Sequence, residues 1–277
     1  MQRLAIALAL GSGGAWTEPA HADAPVRVDV ELLLAVDVSR SMTPRELEIQ
    51  RRGYAEALVS PDVIDVMSGG GTGRVAIAYV EWAGTHSQRV IVDWTLIRGR
   101  ADAEAFAAKL TAEFNSALRR TSISGILDYA AGAFEENGFA GARRVVDISG
   151  DGPNNQGRPV TAARDALLAG GITINGLPLM TREGMGAQWH LDDLDAYYRD
   201  CVIGGPMAFV LPVLDWAHFP TAVRRKLILE LAGRMPEPEP VPEPEPERDA
   251  LPLRRASGGY DCLIGEKIWQ EMMGDWN

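Results

Sequence analysis

From Leu32 to Val36 the chain is continuously apolar, and the run stops at Asp37, with Ser39 and Ser41 just beyond. A strand exposed on one face would alternate, so this run predicts a parallel strand covered on both faces. Val145, Val146, Asp147 and Ile148 repeat the theme and lead to Asp151. Arg74 to Trp82 and Gln88 to Trp94 are rich in Val, Ile, Tyr and Trp around Gly84-Thr85, which predicts an antiparallel hairpin. Ile172 to Leu177 and Ala208 to Leu211 complete the predicted strands. Helical spacing covers Ala101 to Leu118, Ile126 to Phe134, Pro159 to Ala169, Leu191 to Cys201 and Asp215 to Ala232. Thr43, Pro44 and Glu46 form a helix start with a capping box, predicting a helix to about Val59, and Ser60-Pro61-Asp62 begins a short turn. Strands alternating with helices imply an α/β fold: a doubly wound, mostly parallel six-stranded sheet with one antiparallel edge strand and helices on both faces.

The ends have a different texture. Arg3, the apolar stretch Leu4 to Leu10 and the small-residue site Ala20-His21-Ala22 give residues 1–24 the layout of a secretory signal peptide, with a mature start near Asp23 or Pro25. The apolar stretch is too short to span a bilayer, so the expected product is periplasmic or secreted. Residues 25–235 then form the globular domain. Residues 236–248 alternate Pro and Glu and predict an extended, negatively charged linker. In the tail, 249–277, Tyr260 to Trp276 carries enough apolar side chains to dock.

Charge and cysteine usage narrow the function. A formal charge of −11 argues against nucleic acid or an anionic membrane surface as partner, since both need clustered Lys and Arg. Cys201 and Cys262 lie in similar contexts, Asp-Cys-Val-Ile-Gly and Asp-Cys-Leu-Ile-Gly. In an oxidising compartment the expectation is a disulfide that pins the tail to the domain, the alternative being two free thiols.

Open α/β sheets bind ligands beyond the carboxyl ends of their strands, which singles out Asp37, Ser39 and Ser41. All three offer oxygen, which suits a hard cation such as Mg²⁺ and argues against zinc, copper or an iron–sulfur cluster. The short motif also reads as a helix cap. Thr121 sits in a polar loop at a helix entrance, and Asp151 stands where a strand should end.

The D-x-S-x-S, the Thr four residues before Gly125 and the Asp-Gly after a Val/Ile strand resemble, in order and spacing, the metal-ion-dependent adhesion site (MIDAS) of von Willebrand factor A (VWA) domains. The resemblance runs from about Val26 to Gly233. The longer signatures around Asp37 and Asp147 are similar to an exported bacterial subgroup of undefined role. It implies a Rossmann-like VWA fold and one Mg²⁺ or Mn²⁺ held by the hydroxyls of Ser39, Ser41 and Thr121. Asp37 and Asp151 would bind the ion directly or through water. The open position would take an Asp or Glu side chain of a partner protein, so the implied function is binding rather than catalysis.

Asp147, inside an apolar strand, needs a partner: Arg143, Arg144 or a site hydroxyl. A haloacid-dehalogenase-type phosphohydrolase would need a second Asp where Ser39 stands. A serine hydrolase would need a G-x-S-x-G elbow, and His21, His86, His190 and His218 show no partner pattern. A structural module with an unused metal site is the remaining alternative. Glu237, Glu239, Glu243, Glu245 or Glu247 of the linker could also occupy the site, in cis or from a second copy; deleting Pro236 to Asn277 should then raise partner affinity or abolish self-association.

Overall fold

A computed structural model of the chain, describing residues 24–112, 118–135, 137–181, 191–233 and 259–274, sets the first apolar run at the centre of a five-stranded sheet. β1 (Val26–Asp37) pairs in parallel with β2 (Val75–Trp82) on one side and β4 (Phe139–Gly150) on the other. β3 (Gln88–Ile97) closes one edge antiparallel to β2, and β5 (Ile172–Pro178) the other edge parallel to β4, giving the order β3-β2-β1-β4-β5. Because β1 is flanked by two strands and covered on both faces, everything from Val30 to Asp37 is buried.

Alternate β1 side chains feed two cores. Leu32, Leu34 and Val36 pack with Tyr54, Met67, Phe106 and Phe219, contributed by α1 (Pro44–Leu58), α2 (Pro61–Ser68), α3 (Arg100–Leu110) and α7 (Phe219–Ala232). Leu33 and Ala35 pack with Ile126, Leu167 and Tyr197 from α4 (Ile123–Ala133), α5 (Val160–Ala169) and α6 (Leu194–Tyr197). Each fully buried aliphatic chain contributes about 1.5–3 kcal/mol of transfer free energy, which explains why the sheet is the stable frame on which the loops are hung.

Three elements differ from the sequence expectation. Ala208 to Leu211 does not become a sixth strand. Residues 204–213 run along the outer edge of β5 as isolated bridges only, with Gly176 donating to Phe209 and Leu211 donating back to Gly176. Pro206 and Pro212 have no N–H to donate, and Gly205 and Met207 adopt positive φ, so the ladder is repeatedly broken. The helix predicted to Leu118 ends at Leu110. Leu118 instead pairs in parallel with Ser39, its N–H donating to the Val38 carbonyl at 2.8 Å. The helix predicted over Leu191 to Cys201 is one short turn, α6, followed by a π turn from Tyr198 to Val202. The signal-peptide residues 1–23, Phe114, His190, the linker 236–248 with its glutamates, and Trp276 lie outside the described residues.

Asp147 takes neither neighbouring arginine. Its carboxylate meets the Lys226 ammonium of α7 at 2.8 Å and accepts from the Tyr54 hydroxyl at 3.3 Å. Arg143 donates instead to the Leu231 carbonyl and Arg144 to that of Gly170. Lys226 also bonds Glu230, which accepts from the Asn175 amide at 3.0 Å, so a Lys lies between two carboxylates in the core. Burial first, then Asp147, push the Glu230 carboxyl up to about 7 from its ordinary 4.5.

The pH consequence follows from the sign of that shift. A raised carboxyl holds its proton more tightly in the fold than in the unfolded chain. Its contribution is therefore complete below the unfolded value and lost as pH rises through about 7. Thermal unfolding of Glu230→Gln should show a flatter decline in midpoint between about pH 5 and about pH 8 than the parent chain. Equal slopes would mean that Glu230 does not titrate there.

Candidate metal centre

β1 and β4 are neighbours whose connections leave in opposite directions, which opens a crevice beyond their carboxyl ends. Val36 is paired with Ser149, so β4 ends with Gly150 beside Asp37, and Asp151 follows one residue further on. Gly150 fits there because it lacks a side chain: a Cβ would stand 2.8 Å from the Tyr198 hydroxyl and 3.0 Å from Asp37 Oδ2.

The segment after β1 is clamped on both sides, the Val38 N–H donating to the Trp82 carbonyl and the Val38 carbonyl accepting from Leu118. Asp37 Oδ1 accepts from the Ser39 amide at 2.7 Å. Ser39 Oγ and Ser41 Oγ lie 2.9 Å apart, and Ser41 Oγ donates to Asp151 Oδ1 at 2.8 Å. α1 then starts with a full capping box between Thr43 and Glu46, and Glu46 is anchored by the Trp216 indole at 2.9 Å. That anchor fixes the loop between β1 and α1 from behind.

Thr121 enters from a second loop. Its amide donates to Asn155 Oδ1 at 3.1 Å and its carbonyl accepts from the Asn155 amide at 2.9 Å. Asn154 Oδ1 accepts from the Ser124 amide at 3.0 Å, and the Asn154 amide donates to Tyr197 Oη. Asn154 and Asn155 therefore tie the loop after β4 to the Thr121 loop, a bracing function that the sequence had not signalled. Ser39, Ser41, Thr121 and Asp151 line one cleft, and Asp37 lies buried beneath it. The described histidines, His86 and His218, do not line it.

Electrostatics at this point are unfavourable without a cation. Burial, and then the nearby Asp151 carboxylate, push the Asp37 carboxyl well above the usual carboxylate range, with contacts to Ser39 and the Asp151 backbone opposing. Among the described residues, buried Asp37 Oδ2 meets no hydrogen-bond donor within hydrogen-bonding geometry. A small divalent ion would relieve both conditions, favouring the charged form and supplying the missing partner. The donors fit such an ion, being oxygens only, with the hydroxyls uncharged. Among the described residues no group of three or more His, Cys, Asp or Glu is placed to hold a metal, so a thiolate or imidazole cage is not on offer. Mg²⁺ and Mn²⁺ suit oxygen sites of this kind, in which water completes the shell.

A structural element that sequence had not located also lines the cleft. α8 (Ile264–Gly274) is joined to the domain by the Cys201–Cys262 disulfide and by Tyr260, whose hydroxyl donates to Asp193 at 2.9 Å. A Cβ at Gly265 would collide with the Asn154 carbonyl oxygen, so the helix backbone rests directly on the bracing loop. Asn154 Nδ2 donates to Glu266 at 2.7 Å, and the Arg120 guanidinium lies 3.6 Å from the centre of the Trp269 ring.

Comparison with known proteins gives a fold and a family. The family described as protein of unknown function (DUF1194) matches residues 27–235. No curated protein matches the chain. Proximal thread matrix protein 1 from the mussel byssus is 14% identical with a TM-score of 0.56, over 75% of this chain and 49% of that one. A structure of the mussel protein with a zinc-occupied MIDAS motif aligns at 15% identity and a TM-score of 0.52, again over 75% and 49%. The pilus adhesin SpaC from Lactobacillus rhamnosus GG aligns at 11% identity and a TM-score of 0.50, over 74% of this chain and 31% of its own. At these identities the likeness establishes the fold, which is the Rossmann-like α/β fold of VWA domains. The chain spans about half the length of the mussel protein.

Proposed function

The chain belongs to the family described as protein of unknown function (DUF1194), and from that footing we propose that it is an exported binding module whose crevice between β1 and β4 captures a partner's carboxylate through a divalent cation. Ser39, Ser41 and Thr121 would hold the ion through their hydroxyls, with Asp37 and Asp151 binding it directly or through water. When bound, the ion would supply a Lewis-acidic position for an Asp or Glu of the partner. The observation that carries this proposal is the convergence of two hydroxyls and the Asp151 carboxylate within 2.8–2.9 Å contacts, above a buried Asp37 with an unpartnered oxygen.

Each residue has a distinct task. Asp37 fixes the Ser39 amide and sets negative charge beneath the cleft. Ser41 keeps Asp151 in place. The bond between Asn155 and Thr121 sets the distance between the two loops. No described residue stands in the role of a second acid/base carboxylate at position 39, where Ser39 offers only a hydroxyl. Binding is therefore favoured over phosphoryl chemistry. A MIDAS motif that holds zinc in the mussel matrix protein, and the adhesin identity of SpaC, support the same class of function. The signal-peptide layout of residues 1–24 and the Cys201–Cys262 disulfide support an exported site.

Reciprocal linkage provides the test. If carboxylate and cation share one site, N-acetylglutamate amide must raise Mn²⁺ affinity by the factor by which Mn²⁺ raises its own affinity. Titrations of each in the presence and absence of the other should give equal factors, both lost in Asp151→Ala. A Mn²⁺ affinity indifferent to the carboxylate would remove partner capture from the function.

A further inference from the structure

We infer that α8 turns the open metal face into a cleft that accepts a narrow, extended segment of a partner, with its carboxylate at the cation and a flanking apolar side chain against Ile268 and Trp269. This rests on the carboxylate-capture function proposed above and specifies the class of ligand.

Shape is the first argument. Ser39, Thr121 and Asp151 share a cleft of about 450 Å³ with Ile268 and Trp269 of α8. That volume lies within the range of roughly 300–1,000 Å³ typical of small-ligand pockets. It is large enough for a few residues of extended chain.

The wall is fixed rather than draped. A disulfide precedes α8, its Gly265 touches the Asn154 backbone, and Glu266 accepts from the Asn154 side chain that also braces the Thr121 loop. Trp269 is stacked against the Arg120 guanidinium in a cation–π contact. Arg120 itself adopts φ 74°, a left-handed conformation that is unfavourable for a non-glycine residue. It immediately precedes Thr121, so the aromatic wall and the hydroxyl donor are set by the same loop.

Charge and polarity then select the occupant. In a chain of net charge −11, exposed Arg40 and Arg119 line this cleft, and neither is in an ion pair with a described residue. Guanidinium groups around an oxygen-donor cation site favour an anionic segment. Ile268 and Trp269 are half-buried and offer apolar surface to the residue next to the acid.

The test compares acetyl-Ala-Glu-Ala-amide with acetyl-Leu-Glu-Leu-amide by ligand-observed NMR, on the full chain with Mg²⁺ and with EDTA. With Mg²⁺ the Leu peptide should bind about tenfold more tightly, the equivalent of partly burying one Leu side chain. Trp269→Ala should abolish that preference, and Trp269→Phe should retain most of it. Gly265→Val, whose side chain would collide with the Asn154 backbone and with Pro153 and force α8 away, should weaken the preference in the same direction. Equal affinities for the two peptides, both dependent on Mg²⁺, would overturn the role of α8 and leave carboxylate capture standing. Mg²⁺-independent binding, or none of either peptide, would overturn both.

Discussion

Lys226→Met is expected to destabilise the fold by about 3–5 kcal/mol, the usual cost of leaving a buried charge without its counterion. Lys226, Asp147 and Glu230 are all at least 98% buried, so water cannot replace the ammonium. Burial acts to lower the Lys226 pKa, but Asp147 and Glu230 overcome it and hold the ammonium charged. Removing that charge leaves Asp147 facing Glu230, with the Tyr54 hydroxyl and the Asn175 amide as the remaining donors among the described residues. The site can respond only by taking up protons, so the loss should be largest above neutral pH. Denaturant unfolding measures it as a fall in midpoint at constant slope. Adding Asp147→Asn and Glu230→Gln to Lys226→Met should restore most of the stability, because the uncompensated charges go with the substitutions. An unfolding free energy within about 1 kcal/mol of the parent for Lys226→Met alone would show that the ammonium is not needed to balance the two carboxyls.

Gly150→Val carries the second large effect, and it removes no candidate ligand. A Cβ there would be 2.8 Å from Tyr198 Oη and 3.0 Å from Asp37 Oδ2, distances that side chains do not sustain. Neither neighbour can retreat easily. Tyr198 is fully buried in the core on the α4–α5 side of the sheet, and Asp37 is fixed through its Oδ1 to the Ser39 amide. Overpacking of this kind costs about 1–3 kcal/mol. The same collision displaces Asp37, so Mn²⁺ affinity should fall by the roughly 10–100-fold seen when a partner that orients a metal ligand is lost. Thermal unfolding and Mn²⁺ titration of one variant thus read both consequences. A variant that loses stability but keeps full Mn²⁺ affinity would separate Asp37 from the ion.

How far the sequence led depends on the range over which each interaction acts. β1 and the D-x-S-x-S that ends it were legible because burial on both faces leaves an unmistakable run of apolar residues. The capping box at Thr43 and the hairpin at Gly84-Thr85 are local events, written within a few residues. The convergence of Ser39, Ser41, Thr121 and Asp151 required the family resemblance, since spacing alone does not bring three loops together. The sixth strand failed because two prolines interrupt its ladder, a local signal that strand propensity outweighed. Lys226 could not be identified as the partner of Asp147: it lies on a distant helix, and Arg143 and Arg144 offered nearer positive charge in sequence. The cysteines suggested that the tail was pinned but not that its helix would line the cleft. That placement depends on Gly265 fitting against Asn154, a contact between surfaces with no pattern in the chain.

Whether the crevice between β1 and β4 is a divalent-cation site is decided by calorimetric titration of Mg²⁺ and Mn²⁺ into the full chain, beside Ser39→Ala and Asp151→Ala. One saturable site per chain in the parent, lost in both variants while their unfolding midpoints stay near the parent value, is the expected result. Binding that persists undiminished in both variants, or no binding in the parent with N-acetylglutamate amide present, would contradict it.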